Sequence, residues 1–305
     1  MNKNKKKVII DTDPGQDDAL AIMLLVKSGM FDIRAVTTVA GNSVIQNTTN
    51  NARFILDLLK SDIPLYSGSE KPLSKDLVLA NVHGKSGLDG AIITKKEPLN
   101  GMAVEKIIEI VKQNPNKVSI VVIGPQTNIA KAFQLDPTLP ELIKELIIMG
   151  GAIEVPGNKS RVAEFNIFVD PIAAKIVFEA PVRKVLVPLD ICNEIPLFSS
   201  DFEKITGSLR EPILSMMEKY IEGIAKFEYQ QGALVYDTLA AYYLIRPEAY
   251  TLEDVDILVE TKGEYTDGMT VTEKRVYKEK NINIQLVKKV DRDMFVSDFL
   301  NFLSK

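Results

Sequence analysis

Val8-Ile9-Ile10-Asp11-Thr12-Asp13-Pro14-Gly15-Gln16-Asp17-Asp18 runs from an apolar strand through a sharp turn into a helix, and four of its last eight residues are carboxylates. Pro14-Gly15 supplies the turn, and Asp17-Asp18 falls where a helix N-terminus favours negative charge. Gathering four carboxylates in a fold costs free energy through repulsion and desolvation, unless a cation neutralises them or a proton is retained. The stretch therefore predicts a strand-turn-helix unit with a cation site at the strand's carboxyl end.

The rest of the chain narrows the cation. One histidine, His83, and one cysteine, Cys192, cannot build the usual tetrahedral zinc site within one subunit. Oxygen ligands remain, and flexible coordination by many oxygens favours calcium. Of 305 residues, 46% are hydrophobic, enough for a substantial core, and 37 basic against 41 acidic residues leave a net charge of −4. No basic field is present to hold nucleic acid or an anionic membrane. The basic opening Lys3-Asn4-Lys5-Lys6-Lys7 meets only Val8-Ile9-Ile10 before charge returns at Asp11, so neither a secretion signal nor a membrane span is expected. A single cysteine excludes an intramolecular disulfide and fits the cytoplasm. Gly84-Lys85-Ser86 imitates the end of a phosphate-binding loop, but Leu79 stands where its first glycine belongs.

Apolar runs of strand length alternate with helical periodicity, which predicts a single α/β domain over residues 1–305: a largely parallel open sheet flanked by helices. Strands are expected at 7–11, 33–39, 118–123, 146–149 and 185–187. Helices are expected at 17–28, 44–60, 102–113, 171–179, 212–227, 238–245 and 292–303. Alternating stretches at 255–259, 269–275 and 282–287 read as extra C-terminal strands. Ligands of open α/β sheets bind beyond the carboxyl ends of the strands. Asp11 and Asp13, Gly41-Asn42, Gly124-Pro125-Gln126-Thr127-Asn128 and Gly150-Gly151 all fall there, so four loops are expected on one rim.

Taken together, Asp11-Thr12-Asp13-Pro14-Gly15-x-Asp17-Asp18-Ala19 resembles the signature of the calcium-dependent nucleoside hydrolases, the inosine-uridine preferring N-ribohydrolases. Companion motifs follow in order: Val39-Ala40-Gly41-Asn42, Val82-His83-Gly84, Gly124-Pro125-Gln126-Thr127-Asn128, Met149-Gly150-Gly151, Ala163-Glu164-Phe165-Asn166, and Asp237 opening a helix. The resemblance spans residues 8 to about 245. It implies a Rossmann-like fold and calcium held by Asp13, Asp18, the Thr127 carbonyl and Asp237. It further implies ribose held by Asp17, Asn42, Asn158, Glu164 and Asn166, with Phe165 near the sugar or base. The implied reaction is hydrolysis of a nucleoside to free base and ribose by a homodimer or homotetramer. Cleaving a bond to ribose passes through an oxocarbenium-like centre, which calls for an activated water on one face and help to the leaving group on the other. In that scheme Asp13 is the general base toward a calcium-bound water, and Asp11 orients its neighbours from behind.

Two residues bear on the base. His83 lies in a loop with Gly84, Gly87 and Gly90, and the resemblance makes it a base contact or proton donor. Tyr236 stands where relatives carry His or Trp; it reads as a weak proton donor, a stacking residue or a packed helix-start tyrosine. Tyr229, Tyr242 and Tyr243 are close enough in sequence that one could reach the base. At Leu189-Asp190-Ile191-Cys192-Asn193-Glu194 relatives often read Leu-Asp-x-Thr-His, and Cys192 reads as a small buried residue. Tyr236 also motivates an alternative: a nucleoside-binding protein that keeps the calcium and ribose site without turnover. An aspartate-nucleophile phosphatase shares the strand followed by Asp-x-Asp, but Pro14-Gly15 and Asp17-Asp18 do not suit it.

Overall fold

The structure is a computed structural model and describes residues 5–275 and 277–305; Lys3 and Asn4 of the basic opening lie outside the described residues. Its frame is an eight-stranded sheet made of β1 (Lys6–Thr12), β2 (Phe31–Thr38), β3 (Leu65–Ser67), β4 (Val118–Val122), β5 (Glu145–Met149), β6 (Lys184–Val187), β7 (Tyr250–Val255) and β8 (Ile284–Val290). The spatial order is β3-β2-β1-β4-β5-β6-β8-β7, and every neighbouring pair is parallel except β8 with β7.

Alternation along each strand feeds a core on each face. Val8 and Ile10 of β1 point into one core with Val121, Ile147 and Met149, while Ile9 joins Ile120, Leu146 and Ile148 in the other. The first core is covered by α1 (Gln16–Ser28) and by the later helices Arg210–Phe227, Tyr236–Ile245 and Arg292–Leu303. All ten residues of Tyr236–Ile245 are buried, as expected of a helix apolar on every side. The second core is covered by Ala103–Gln113, Thr127–Leu135 and Pro171–Glu179.

The sheet reverses its winding beside β1: β2 and β3 lie on one side, and β4 crosses to the other. A crevice opens beyond the strand ends at such a switch point. Because β2, β1, β4 and β5 are adjacent and parallel, the four expected loops do share one rim.

Several elements depart from the sequence reading, beyond a set of short helices and a two-residue ribbon, Pro196–Leu197 with Ala233–Leu234, that it did not contain. Residues 250–255 form β7, only touching the expected 255–259. Leu65–Ser67 adds a three-residue edge strand, and the Gly124–Asn128 stretch, read as a loop, is already helical from Thr127. The remaining C-terminal expectations divide: 284–290 enters the sheet, while Ile257–Val259 and Thr270–Thr272 pair antiparallel as a separate ribbon. No helix among the described residues is long and apolar enough to cross a membrane.

Candidate active site

The turn after β1 places its carboxylates at the switch point. Asp11 lies opposite Thr37 in the β1–β2 register, and its Oδ1 accepts from Thr37 Oγ1 at 2.6 Å and from Asn128 Nδ2 at 2.8 Å. Burial pushes its carboxyl up to about 6. Asp13 accepts the backbone N–H of Asn42 on Oδ2 at 2.6 Å, while its Oδ1 is buried without a partner. Both oxygens of Asp18 accept hydrogen bonds: Thr12 Oγ1 donates at 2.5 Å, Gly15 N–H at 2.9 Å and Asn42 Nδ2 at 3.2 Å. Asp17 leaves Oδ1 unpaired.

Asp237 meets them from the first turn of Tyr236–Ile245, so two helix N-termini direct their positive ends at the cluster, an effect of about 0.3–1 kcal/mol per charge. That is too little to offset the cluster's cost. Burial foremost, and then the neighbouring carboxylates, hold Asp13, Asp17 and Asp237 well above the usual carboxylate range. Asp17, Asp18 and Asp237 bring one oxygen each to within 4.8 Å of one another. Asp13 stands outside that trio, yet its charge acts on Asp237. The buried acidic group is thus compatible with a metal ion. Thr127 is buried at the start of its helix and donates its hydroxyl to Asp170 Oδ2 at 2.7 Å.

Over this cluster opens a cavity of about 790 Å³, counting its mouth. Of the residues singled out in the sequence, Asp17, Asn42, His83, Asn158, Glu164, Phe165, Asn166, Tyr236 and Asp237 line it; Asp11, Asp13, Asp18 and Thr127 do not. Glu164 caps a short helix, Phe165–Val169, accepting the N–H groups of Asn166 at 2.8 Å, Ile167 at 3.1 Å and Gly151 at 3.1 Å. Burial outweighs those bonds and raises it to about 7. Asn166 Nδ2 reaches the Ile123 carbonyl at 3.2 Å, and Asn158 Oδ1 accepts from Phe165 N at 2.9 Å.

His83 stacks on Tyr220, with ring centroids 5.3 Å apart and planes 11° from parallel. Its Nδ1 lies 2.7 Å from Gln16 Oε1, while Gln16 Nε2 reaches the carbonyls of Asp89 at 3.0 Å and His83 at 3.4 Å. Gln16 therefore acts as acceptor toward the ring, so Nδ1 carries the proton and Nε2 a lone pair. Burial lowers His83 to about 3. A neutral imidazole bare at Nε2 contacts a base as an acceptor and does not donate a proton to it. As the chain's sole histidine, it gives one imidazole signal, and its NMR shift should stay flat between pH 5 and 8. A midpoint near 6.5 would contradict the assignment.

Tyr236 donates its hydroxyl to Glu228 Oε2 at 2.8 Å. Glu228, Tyr220, Asn81 and Lys159 also line the cavity, and the sequence reading did not single them out. For Glu228 a signal existed: a carboxylate just after Arg210–Phe227 sits at the unfavourable end of that helix's dipole. Tyr229 is 89% exposed, while Tyr242 and Tyr243 pack in the core against Tyr250, so none of the three lines the cavity. Cys192 is fully buried, its Sγ 3.9 Å from the Tyr236 carbonyl oxygen.

The family model of the inosine-uridine preferring nucleoside hydrolases matches residues 8–297. The chain belongs to this family. A pyrimidine-specific ribonucleoside hydrolase, RihA, of Salmonella newport (strain SL254) is 37% identical over 300 residues, 95% of either chain. Among solved structures, a plant nucleoside hydrolase, PpNRh1, superposes with a TM-score of 0.92 at 29% identity over 99% of each chain. A purine-preferring ribonucleoside hydrolase from Gardnerella vaginalis does so with 0.90 at 27% over 98% of each. Like these nucleoside hydrolases, the chain is a hydrolase of N-glycosyl bonds.

Proposed function

We propose that the chain hydrolyses a ribonucleoside to free base and ribose, with Asp13 as the general base. The observation that carries this is Asp13 Oδ1: a buried carboxylate oxygen without a partner, in a cluster beneath a cavity lined by amides and acids suited to sugar hydroxyls. An unpaired buried polar atom costs roughly 1–3 kcal/mol, more when charged, so its retention argues for a ligand.

The donor set fits a calcium ion. Asp13 Oδ1 and Asp17 Oδ1 lack partners, and a Cβ at Gly41 or Gly124 would collide with the Asp13 carboxylate, so both glycines keep room around it. Asp13, Asp18, Asp237 and the Thr127 carbonyl would hold the ion, with Asp17 close enough to share it. When bound, calcium neutralises the carboxylates, acidifies water and fixes ribose hydroxyls.

Asp13 accepts a proton from the attacking water as its oxygen adds to C1′ of ribose and the N-glycosidic bond breaks, the base leaving with that bond's electron pair and taking its proton from solvent. Asp17, Asn42, Asn158, Glu164 and Asn166 orient the sugar, and Phe165 covers it. On the departing side, His83 and Tyr236 contact the base. The single cysteine supports a cytoplasmic setting, and the family resemblance supports a homodimer or homotetramer.

A panel of purine and pyrimidine ribonucleosides tests the reading with calcium supplied. Reducing sugar should appear from at least one, and chelation should stop it. Tight binding without product would instead favour a non-catalytic nucleoside-binding protein.

A further inference from the structure

Glu228 is placed against the local rules of helix chemistry. It follows the last turn of Arg210–Phe227, where the dipole disfavours an anion, and Tyr229 beside it takes a left-handed φ of 56° that turns the chain away. Tyr229 is thrown into solvent while Glu228 is half-buried in the cavity wall. Burial raises its carboxyl, and its charge in turn acts on Glu164 across the cavity lining. Sites where a fold breaks its own rules in this way are candidates for function.

Donor and acceptor accounting shows what the wall offers a base. The Tyr236 hydroxyl proton is spent on Glu228, so Tyr236 presents only oxygen lone pairs. His83 Nδ1–H is spent on Gln16, so Nε2 presents a lone pair. Glu228 presents carboxylate oxygens. Lys159 Nζ donates one of its three protons to the Leu79 carbonyl at 2.9 Å and lies over the Phe165 ring, so the cavity's remaining cationic donor stands with Phe165 and not with His83, Tyr236 and Glu228. The wall formed by His83, Tyr236 and Glu228 is thus a run of acceptors. Such a wall pairs with N–H donors on a base edge, as acidic side chains do with the exocyclic amine of cytosine. A keto oxygen at the same place would face carboxylate oxygens and leave buried acceptors unpaired, the condition under which binding sites discriminate most strongly.

We propose that Glu228 is the specificity-determining residue of this site and selects nucleosides whose base carries an exocyclic amino group over their keto counterparts, cytidine over uridine and adenosine over inosine. This rests on the nucleoside-hydrolase reading of the cavity. It is independent of whether the purine or the pyrimidine pair fits better.

The test is the ratio of kcat/KM within each amino/keto pair, measured on the calcium-loaded enzyme and on Glu228→Gln. Comparing ratios between the two proteins cancels the intrinsic difference between the leaving groups. Because Gln offers a donor as well as an acceptor, the amino preference should fall roughly tenfold or more in the variant. Equal loss on both members of a pair would overturn the proposal, since a merely structural role gives that result. If Glu228→Gln does not fold, inhibition of the wild-type enzyme decides: free cytosine should inhibit at roughly tenfold lower concentration than uracil, or adenine than hypoxanthine. Equal inhibition constants would reject the inference. Failure of the underlying reading looks different, because no nucleoside in the panel is then cleaved.

Discussion

Asp13→Asn should lower kcat by about 10³–10⁴ and, measured in chelator, should melt at a higher temperature than the wild-type protein. The first effect follows from losing the proton acceptor, a role generally worth about 10²–10⁴ in rate, together with one anionic ligand for the cation. The second follows from the electrostatics of the cluster. Asp13 is buried and held far above the carboxylate range by desolvation and by the charges of Asp18 and Asp17, so a neutral amide of the same shape relieves repulsion. Opposite signs in activity and stability mark a residue kept for chemistry at the fold's expense. Steady-state kinetics with calorimetry check both signs. A variant with full kcat would remove Asp13 from the mechanism.

Removing divalent cations should abolish activity and destabilise the protein, and the loss should grow as pH rises. Asp13, Asp17 and Asp237 have folded pKa values raised above their unfolded values. Above about pH 4 the unfolded chain has released protons that the folded, cation-free protein still holds, so stability falls with increasing pH. A cation substitutes for those protons and gains the most where they are scarcest. Asp11 and Glu164, raised to about 6 and about 7, add to the fall between roughly pH 4 and 7, on the order of 3 kcal/mol each. His83 opposes it: lowered to about 3, it makes stability rise from about pH 3 to about 6.5, where the unfolded imidazole gives up its proton. Melting curves from pH 5 to 8, in chelator and with excess calcium or magnesium, should therefore diverge as pH increases. Calcium should stabilise more than magnesium, which demands stricter octahedral geometry. Coincident curves would exclude a resident cation.

The parallel frame and its rim were legible because buried strands read as short apolar runs, and the polar loops that follow them fall at strand ends by construction. Tyr250–Val255 was not legible: an edge strand buried at few positions carries neither alternation nor a continuous apolar run. Thr127–Leu135 was hidden behind Gly124-Pro125, which read as punctuation although the helix begins two residues beyond the proline. Asp11, Asp13, Asp17 and Asp18 stood out as a dense local motif, whereas Asn42, Asn158, Glu164 and Asn166 came from the family resemblance. Glu228 belongs to neither: its place just after a helix is a weak signal, and its role emerges when the end of that helix meets Tyr236 at the start of the next, eight residues on. Base-side groups in general come from loops and helix ends, whose meeting is a tertiary fact.

Gln16 precedes Asp17 and Asp18 in the first turn of α1 and binds His83 and the Asp89 carbonyl with its side-chain amide. One helical turn thereby carries both Asp17 and Asp18 of the acidic cluster and the anchor of the His83 loop. Under the proposed function, the two ends of the substrate would be measured against a single rigid gauge, with the span from sugar to base edge set at Gln16. A nucleoside analogue with an extra methylene between ribose and base should engage one end or the other, but not both.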